Sequence, residues 1–303
     1  MLVQRAREGD RRSLARLVSR VEDDTSEGRA ALAAVYPDGG SAWVTGVTGA
    51  PGAGKSTLVD GMIGHAADHG PVAVIAVDPS SPFTGGAVLG DRIRMQRHTD
   101  DPRVYIRSMA NRGNLGGLAD STPRVVALLD GIGFGDVIVE TVGVGQAEVD
   151  VAASADTVVV VVSPGWGDSI QAAKAGLLEI GDVFVVNKAD RPGAHEAVTD
   201  LNRMLDAGPE RSWRPPVVTT IATDGTGIGE LLTAIADHRR HLTDTGALSR
   251  LRRDRALREI EAAVRAELRR KATLGPTDDV ALDRVVAREI DPWTAAEGIV
   301  EAL

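Results

Sequence analysis

Seven short runs of this chain are apolar at nearly every position rather than at every second one, and stretches of helical period separate them. They cover residues 42–48, 72–77, 103–107, 136–140, 157–162, 182–186 and 216–221, of which Val72-Ala73-Val74-Ile75-Ala76-Val77 is typical. A strand that is apolar throughout has to be covered on both faces, which a parallel sheet between two helix layers provides. The alternation predicts a doubly wound α/β domain with a mostly parallel sheet. Ahead of it, Leu14, Leu17, Val18 and Val21 fall at helical spacing within residues 10–23 and predict a short amphipathic helix that packs onto the main domain. The turn Pro37-Asp38-Gly39-Gly40 separates the two. Beyond about residue 241 the strand runs stop, and Leu248, Leu251, Leu257, Ile260, Val264 and Leu268 recur at helical intervals among arginines. One long amphipathic helix is the simple reading, either solvated on the main domain or serving as an arm that pairs with another subunit. The expected division is an N-terminal helical extension (1–40), a sheet domain (41–241) and a C-terminal helical dimerisation arm (242–303).

In doubly wound sheets ligands bind beyond the carboxyl ends of the strands, and the polar motifs of this chain stand where its apolar runs end. Gly49-Ala50-Pro51-Gly52-Ala53-Gly54-Lys55-Ser56-Thr57 follows the first run and fits the phosphate-loop pattern G-x-x-x-x-G-K-[ST] at every fixed position. Glycines let backbone N–H groups close on phosphate oxygens where a side chain would clash. Lys55 supplies a point charge for the β- and γ-phosphates, Ser56 a hydroxyl for Mg²⁺, and the helix that follows its positive N-terminal end. A nucleotide-binding protein is the consequence.

Asn187-Lys188-Ala189-Asp190 ends the sixth run with the form N-K-x-D. The Asp190 carboxylate can accept hydrogen bonds from guanine N1–H and the exocyclic amino group, whereas adenine would leave it unpaired, so the expected base is guanine. Glu140-Thr141-Val142-Gly143 stands where nucleotide hydrolases usually carry Asp-x-x-Gly, with a carboxylate for Mg²⁺ and a Gly143 amide for the γ-phosphate. The longer glutamate reaches further toward the metal or its water. Asp78 ends the second run and opens a long loop through Asp91, Arg92 and Arg94 to Met95, whose two acids and two arginines suit a nucleotide-sensing switch.

Charge and composition narrow the partners. Asp and Glu number 43 against 34 Lys and Arg, and the net charge of −9 repels nucleic acid and anionic membrane, so neither is an expected partner. Cysteine is absent, which excludes a disulfide framework and a thiolate metal site. No apolar run approaches the roughly 20 residues of a membrane span, and the N-terminus turns charged at once, so a cytoplasmic location is expected.

Together these motifs resemble the MeaB/ArgK-type GTPases, auxiliary proteins of cobalamin-dependent acyl-CoA mutases such as methylmalonyl-CoA mutase. The resemblance spans nearly the whole chain. It rests on Gly9-Asp10-Arg11-Arg12-Ser13-Leu14-Ala15-Arg16, the phosphate loop, Asp78-Pro79-Ser80-Ser81 with Gly85-Gly86 and Leu89-Gly90-Asp91, Glu140 through Gln146, and Asn187 through Asp190. Most diagnostic is Pro164-Gly165-Trp166-Gly167-Asp168-Ser169-Ile170-Gln171-Ala172-Ala173-Lys174-Ala175-Gly176, a block that general GTPases lack.

The resemblance implies a homodimeric G protein of the metallochaperone group, with GTP or GDP as ligand and Mg²⁺ as cofactor. Its nucleotide state would gate adenosylcobalamin loading onto the mutase and help protect that enzyme. By the same likeness Ser56, Asp78, Asp91 and Glu140 are linked to Mg²⁺, and residues 78–95, 140–146 and 163–174 are switches that include Gln146, Asp168, Gln171 and Lys174. Arg94 and Lys174 would relay the γ-phosphate state, and Lys55, Asp91, Glu140 and Arg94 form the expected catalytic set. One departure stands out: relatives commonly carry Ser-Ala after the last strand, whereas this chain reads Thr220-Ile221-Ala222-Thr223. From Ile221, Ala222 and Thr223, only a backbone contact of Ala222 to the guanine oxygen carries over.

The expected chemistry is in-line attack of water on the γ-phosphorus, with charge stabilised by Lys55, Mg²⁺ and loop amides. No side chain is an obvious water-positioner, since Gln146 is offset from the position directly after Gly143, so slow turnover that a partner accelerates is expected. Two alternatives share the fold. A nickel-insertion type of metal-delivery GTPase would need a Cys- or His-rich site, and a P-loop kinase would need neither N-K-x-D nor switch loops. The client mutase is not legible.

Overall fold

The computed structural model describes residues 1–79, 95–98, 100–111, 117–141, 153–165, 176, 178–271 and 279–301. Each of the seven apolar runs becomes a strand: β1 (Trp43–Gly49), β2 (Val72–Pro79), β3 (Val104–Asn111), β4 (Asp136–Thr141), β5 (Thr157–Val162), β6 (Val183–Asn187) and β7 (Val217–Thr220). They form one sheet in the order β3-β2-β4-β1-β5-β6-β7, every neighbouring pair parallel. The described helices are α1 (Leu2–Arg7), α2 (Arg11–Glu22), α3 (Ser26–Val35), α4 (Lys55–Ala67), α5 (Gly117–Ile132), α6 (Ala194–Ala207), α7 (Ile228–Asp244), α8 (Ala247–Lys271), α9 (Asp279–Val286) and α10 (Pro292–Glu301).

Two cores follow from the strands' period of two. Val44, Val137, Val139, Val158 and Val160 point to one face, with α2, α5 and α6; Trp43, Val47, Ile138, Val159 and Val161 point to the other, with α4 and α7. Strands buried on both sides are apolar at every position for this reason. Connections that step outward from β1 toward β3 use the α4 face, and those that step back toward β7 use the α5 and α6 face. That division is what a single crossover handedness demands.

The N-terminal extension is larger than its periodicity predicts, with three helices in place of one. Leu14, Leu17, Val18 and Val21 on α2 are buried as expected, and the Asp10 side chain caps that helix by accepting the Arg12 amide at 3.1 Å. Helix α1 is a single short segment, and α3 (Ser-Glu-Gly-Arg-Ala-Ala-Leu-Ala-Ala-Val) has too uniform an apolar content to show a period. Both ends of the extension bury residues in the core under α5, so these helices complete one face of the sheet.

At the other end the expected long helix is present, with Leu248, Leu251, Leu257, Ile260, Val264 and Leu268 all on α8. Helix α7 runs on to Asp244, Gly246 turns left-handed at φ +66°, and α8 starts afresh at Ala247. The chain divides into two compact units, Met1–Arg252 and Arg253–Leu303. In the second, Leu257, Ile260, Val264 and Leu268 of α8 are exposed, as are Val280, Leu282, Val286 and Trp293 of α9 and α10.

Candidate functional site

The carboxyl ends of β1, β4 and β6 and the start of α4 gather the described candidate residues. Strand β1 ends at Gly49, whose backbone sits at φ +134° with an added Cβ only 2.0 Å from the Val161 carbonyl oxygen of β5. No other residue can make that close turn off the strand. The loop enters α4 through Gly54, also left-handed at φ +95°, so the first helical amides of Lys55 and Ser56 face the loop's mouth. The Lys55 ammonium donates to the carbonyls of Gly49 at 2.7 Å and Ala50 at 3.1 Å, which lays its charge across that mouth.

Glu140 is the penultimate residue of β4, and the register that pairs Val47 with Glu140 sets it beside the end of β1. Its side chain is buried, and the Ser56 hydroxyl donates to Oε1 at 2.6 Å. A hydroxyl and a carboxylate at this separation are hard oxygen donors of the kind Mg²⁺ takes alongside phosphate oxygens and water. Among the described residues no group of three or more His, Cys, Asp or Glu is arranged to hold a metal ion. Asp78 lies at the carboxyl end of β2, one position beyond the pairing of Val77 with Thr141, so its backbone shares this edge.

Strand β6 brings in the Asn187-Lys188-Ala189-Asp190 motif. Asn187 is buried at its end; Nδ2 donates to the Ala53 carbonyl at 2.8 Å, and Oδ1 accepts from the Thr220 hydroxyl and the Ala222 amide, both at 3.1 Å. One amide side chain thereby ties the phosphate loop, β6 and the turn after β7 together. Lys188 adopts a left-handed φ of +58°, and its ammonium donates to the Gly52 carbonyl at 2.6 Å. Asp190 is exposed beside this junction, as are Pro51, Gly52 and Thr223; Ile221 and Ala222 are partly covered. Thr57 lies in the first turn of α4.

Sequence reasoning did not single out Thr220, which is fully buried and orients Asn187. Its one signal was a threonine beside the departure at Ile221. Of the other candidates, Asp91, Arg94, Gly143, Gln146, Asp168, Gln171 and Lys174 lie outside the described residues.

Comparison with known proteins agrees with this geometry. The family described as "Methylmalonyl Co-A mutase-associated GTPase MeaB" matches residues 14–277. A Pyrococcus horikoshii relative with GTPase in its name is 47% identical, the match covering 100% of this chain and 97% of the relative. GTPase ArgK of Escherichia coli is 37% identical over 84% of this chain and 80% of its own length. A solved structure, that of a LAO/AO transport system kinase, superposes with a TM-score of 0.73 and 28% identity over 99% of this chain and 95% of the other. With phosphate loop, buried Ser56–Glu140 contact and N-K-x-D junction on one sheet edge, and a family match across most of its length, the chain belongs to the MeaB family of P-loop GTPases.

Proposed function

We propose that this GTPase uses a Mg²⁺-dependent nucleotide cycle to gate adenosylcobalamin loading and protection of a cobalamin-dependent acyl-CoA mutase. The observation that carries the reading is the junction at Asn187, which joins a phosphate loop to a guanine-selective motif through the Ala53 carbonyl. Ser56 and Glu140 would hold Mg²⁺, with Asp78 and Asp91 as further candidate acids; when bound, the ion would neutralise charge developing on the β- and γ-phosphate oxygens.

This chain's own groups would do the rest. Loop amides and Lys55 bind and orient the polyphosphate, and Asp190 selects guanine over adenine. Water adds to the γ-phosphorus as the bond to the β–γ bridging oxygen breaks, giving GDP and phosphate, with the water proton passing to phosphate. Gln146 is offset in sequence from the position directly after Gly143, which supports slow intrinsic turnover that rises when a partner engages the segments around 78–95, 140–146 and 163–174, where Gly143, Gln146, Asp168, Gln171, Lys174 and Arg94 fall. Naming of the family for methylmalonyl-CoA mutase supports the client class. The exposed apolar stripe Leu257, Ile260, Val264 and Leu268 supports a C-terminal dimerisation arm, hence a homodimer organised as extension, GTPase domain and arm. A cytoplasmic setting suits a chain in which no described helix is long and apolar enough to cross a membrane.

Calorimetry with GDP, GTP and ATP, followed by phosphate release with and without a methylmalonyl-CoA mutase, tests the reading. Guanine nucleotides should bind in strong preference, and the mutase should raise the hydrolysis rate. Equal uptake of ATP and GTP would sink the guanine assignment; a rate indifferent to the mutase would sink the partner; phosphoryl transfer to an acceptor other than water would make the protein a kinase.

A further inference from the structure

Behind the nucleotide edge, on the opposite face of the sheet from α4, lies a contact that the catalytic cycle does not use. The Thr141 hydroxyl donates to the Thr48 hydroxyl at 3.0 Å, and both side chains are fully buried. Thr48 and Thr141 follow directly after the paired residues Val47 and Glu140, so their contact prolongs the β1–β4 pairing by one step toward the site. Neighbouring positions on this face of the sheet include Val44, Val139 and Val160, and valine has the same shape as threonine without the hydroxyl. Replacing both members of a buried hydroxyl pair with such an isostere is close to neutral for stability, whereas removing one strands the other. Stability alone therefore gives no reason for this pair.

What the pair supplies is a fixed separation. Thr48 precedes Gly49, whose carbonyl accepts from Lys55; Lys55 precedes Ser56, whose hydroxyl donates to Glu140; Glu140 precedes Thr141, which donates back to Thr48. Six residues thus close a ring of three covalent links and three side-chain hydrogen bonds. Five of its six connections lie at or beside the phosphate loop or the Ser56–Glu140 contact. The sixth, between the two threonines, is on the far face of the sheet, where no phosphate or metal can touch it.

We propose that Thr48 and Thr141 are positioning residues that hold the end of β4 against the end of β1, and so set the distance between the Glu140 carboxylate and the Ser56 hydroxyl for Mg²⁺. The inference rests on the reading of Ser56 and Glu140 as Mg²⁺ ligands. Partners that orient metal ligands commonly change metal affinity about 10-fold or more when removed, with no direct contact to the ion.

The test compares Thr48→Val, Thr141→Val, the double valine variant and the double serine variant by two measurements. Urea unfolding of the nucleotide-free protein reads stability. Retention of a fluorescent GDP analogue across buffered Mg²⁺ concentrations reads the site without turnover. Each single valine variant should lose stability, and the double valine variant should regain it while its Mg²⁺ midpoint for GDP retention stays raised about 10-fold. The double serine variant, which keeps both hydroxyls, should restore the wild-type midpoint. A double valine variant with an unchanged midpoint would overturn the proposal, and so would one that fails to fold, since the pair would then serve stability. If wild-type protein retains GDP equally at all Mg²⁺ concentrations, the Mg²⁺ reading itself fails and the positioning role goes with it.

Discussion

At the carboxyl ends of β1, β4 and β6, polar side chains reach for the phosphate loop; at the amino ends of the same sheet, carboxylates reach back to strand amides. Asp156, fully buried just before β5, accepts the Val44 amide at 3.0 Å and the Arg252 guanidinium at 3.1 Å. Arg252 also donates to the carbonyls of Gly40 at 2.6 Å and Ala42 at 2.9 Å. Asp182, before β6, accepts the Val158 amide at 2.8 Å, and Asp130 accepts the amides of Ser41 at 3.3 Å and Ala42 at 3.0 Å. Both ends face the same problem, because the outermost amides of a parallel ladder lack partners. The base solves it with acids of its own, which closes the structure. At the opposite end glycine turns the loose amides inward and α4 adds its N-terminal dipole, which leaves donors directed at an anion. One sheet thus carries a sealed end and a receptive end, and the difference lies in who supplies the acceptor.

The sharpest way to break this contrast is Lys55→Ala, which should lower kcat/KM for GTP about 10³-fold while moving unfolding stability by about 1 kcal/mol or less. Phosphate-release kinetics and a urea melt on the same sample check both halves. Arg252→Ala should do the reverse. It removes the guanidinium that bonds the buried Asp156 carboxylate and should cost about 3 kcal/mol of stability, with GTP turnover per folded molecule unchanged. A loss of turnover without loss of stability would show that the base is not merely structural.

A third test reads the pH dependence of stability at the base. His238 lies with Nδ1 2.9 Å from the Thr157 hydroxyl, Nε2 3.5 Å from Asp182 and its ring 5.0 Å from that of Trp213. Burial pulls His238 down to about 4, with His241 acting the same way and Asp156 opposing; burial lifts Asp182 to about 7 against the Val158 amide and Arg211. The raised Asp182 loses stability as pH rises from its ordinary value toward 7. The lowered His238 loses stability as pH falls from its ordinary value toward 4. Over the shared window the folded pair and the unfolded pair each hold about one proton, so wild-type stability should be nearly flat there. His238→Gln should expose the Asp182 slope, with stability falling as pH rises from 4 to 7 by up to about 1.4 kcal/mol per unit. Denaturant midpoints across that range decide it, and a rising trend would refute the assignment.

Local signals explain what could be read early. Valine runs without alternation announce strands covered on both sides, and the spacing of Gly49, Gly54, Lys55 and Ser56 announces a phosphate loop, because each depends on residues a few positions apart. Helix α3 left no such mark, since alanine fits a helix without making a stripe. Thr220 showed only as the first residue of a departing block, and the Thr48–Thr141 pair was silent, because a threonine in a strand has the same propensity whether or not its hydroxyl finds a partner.

Residue order alone settled the strand number, the parallel arrangement and the chemical types offered to a guanine nucleotide, because backbone preference and apolar period act within a few residues. Which groups meet was decided only when the chain closed up. Ser56 and Glu140 stand 84 residues apart, and Asn187 stands 134 from Ala53, yet each pair shares a hydrogen bond. Strand order and register, which no local preference encodes, bring them together.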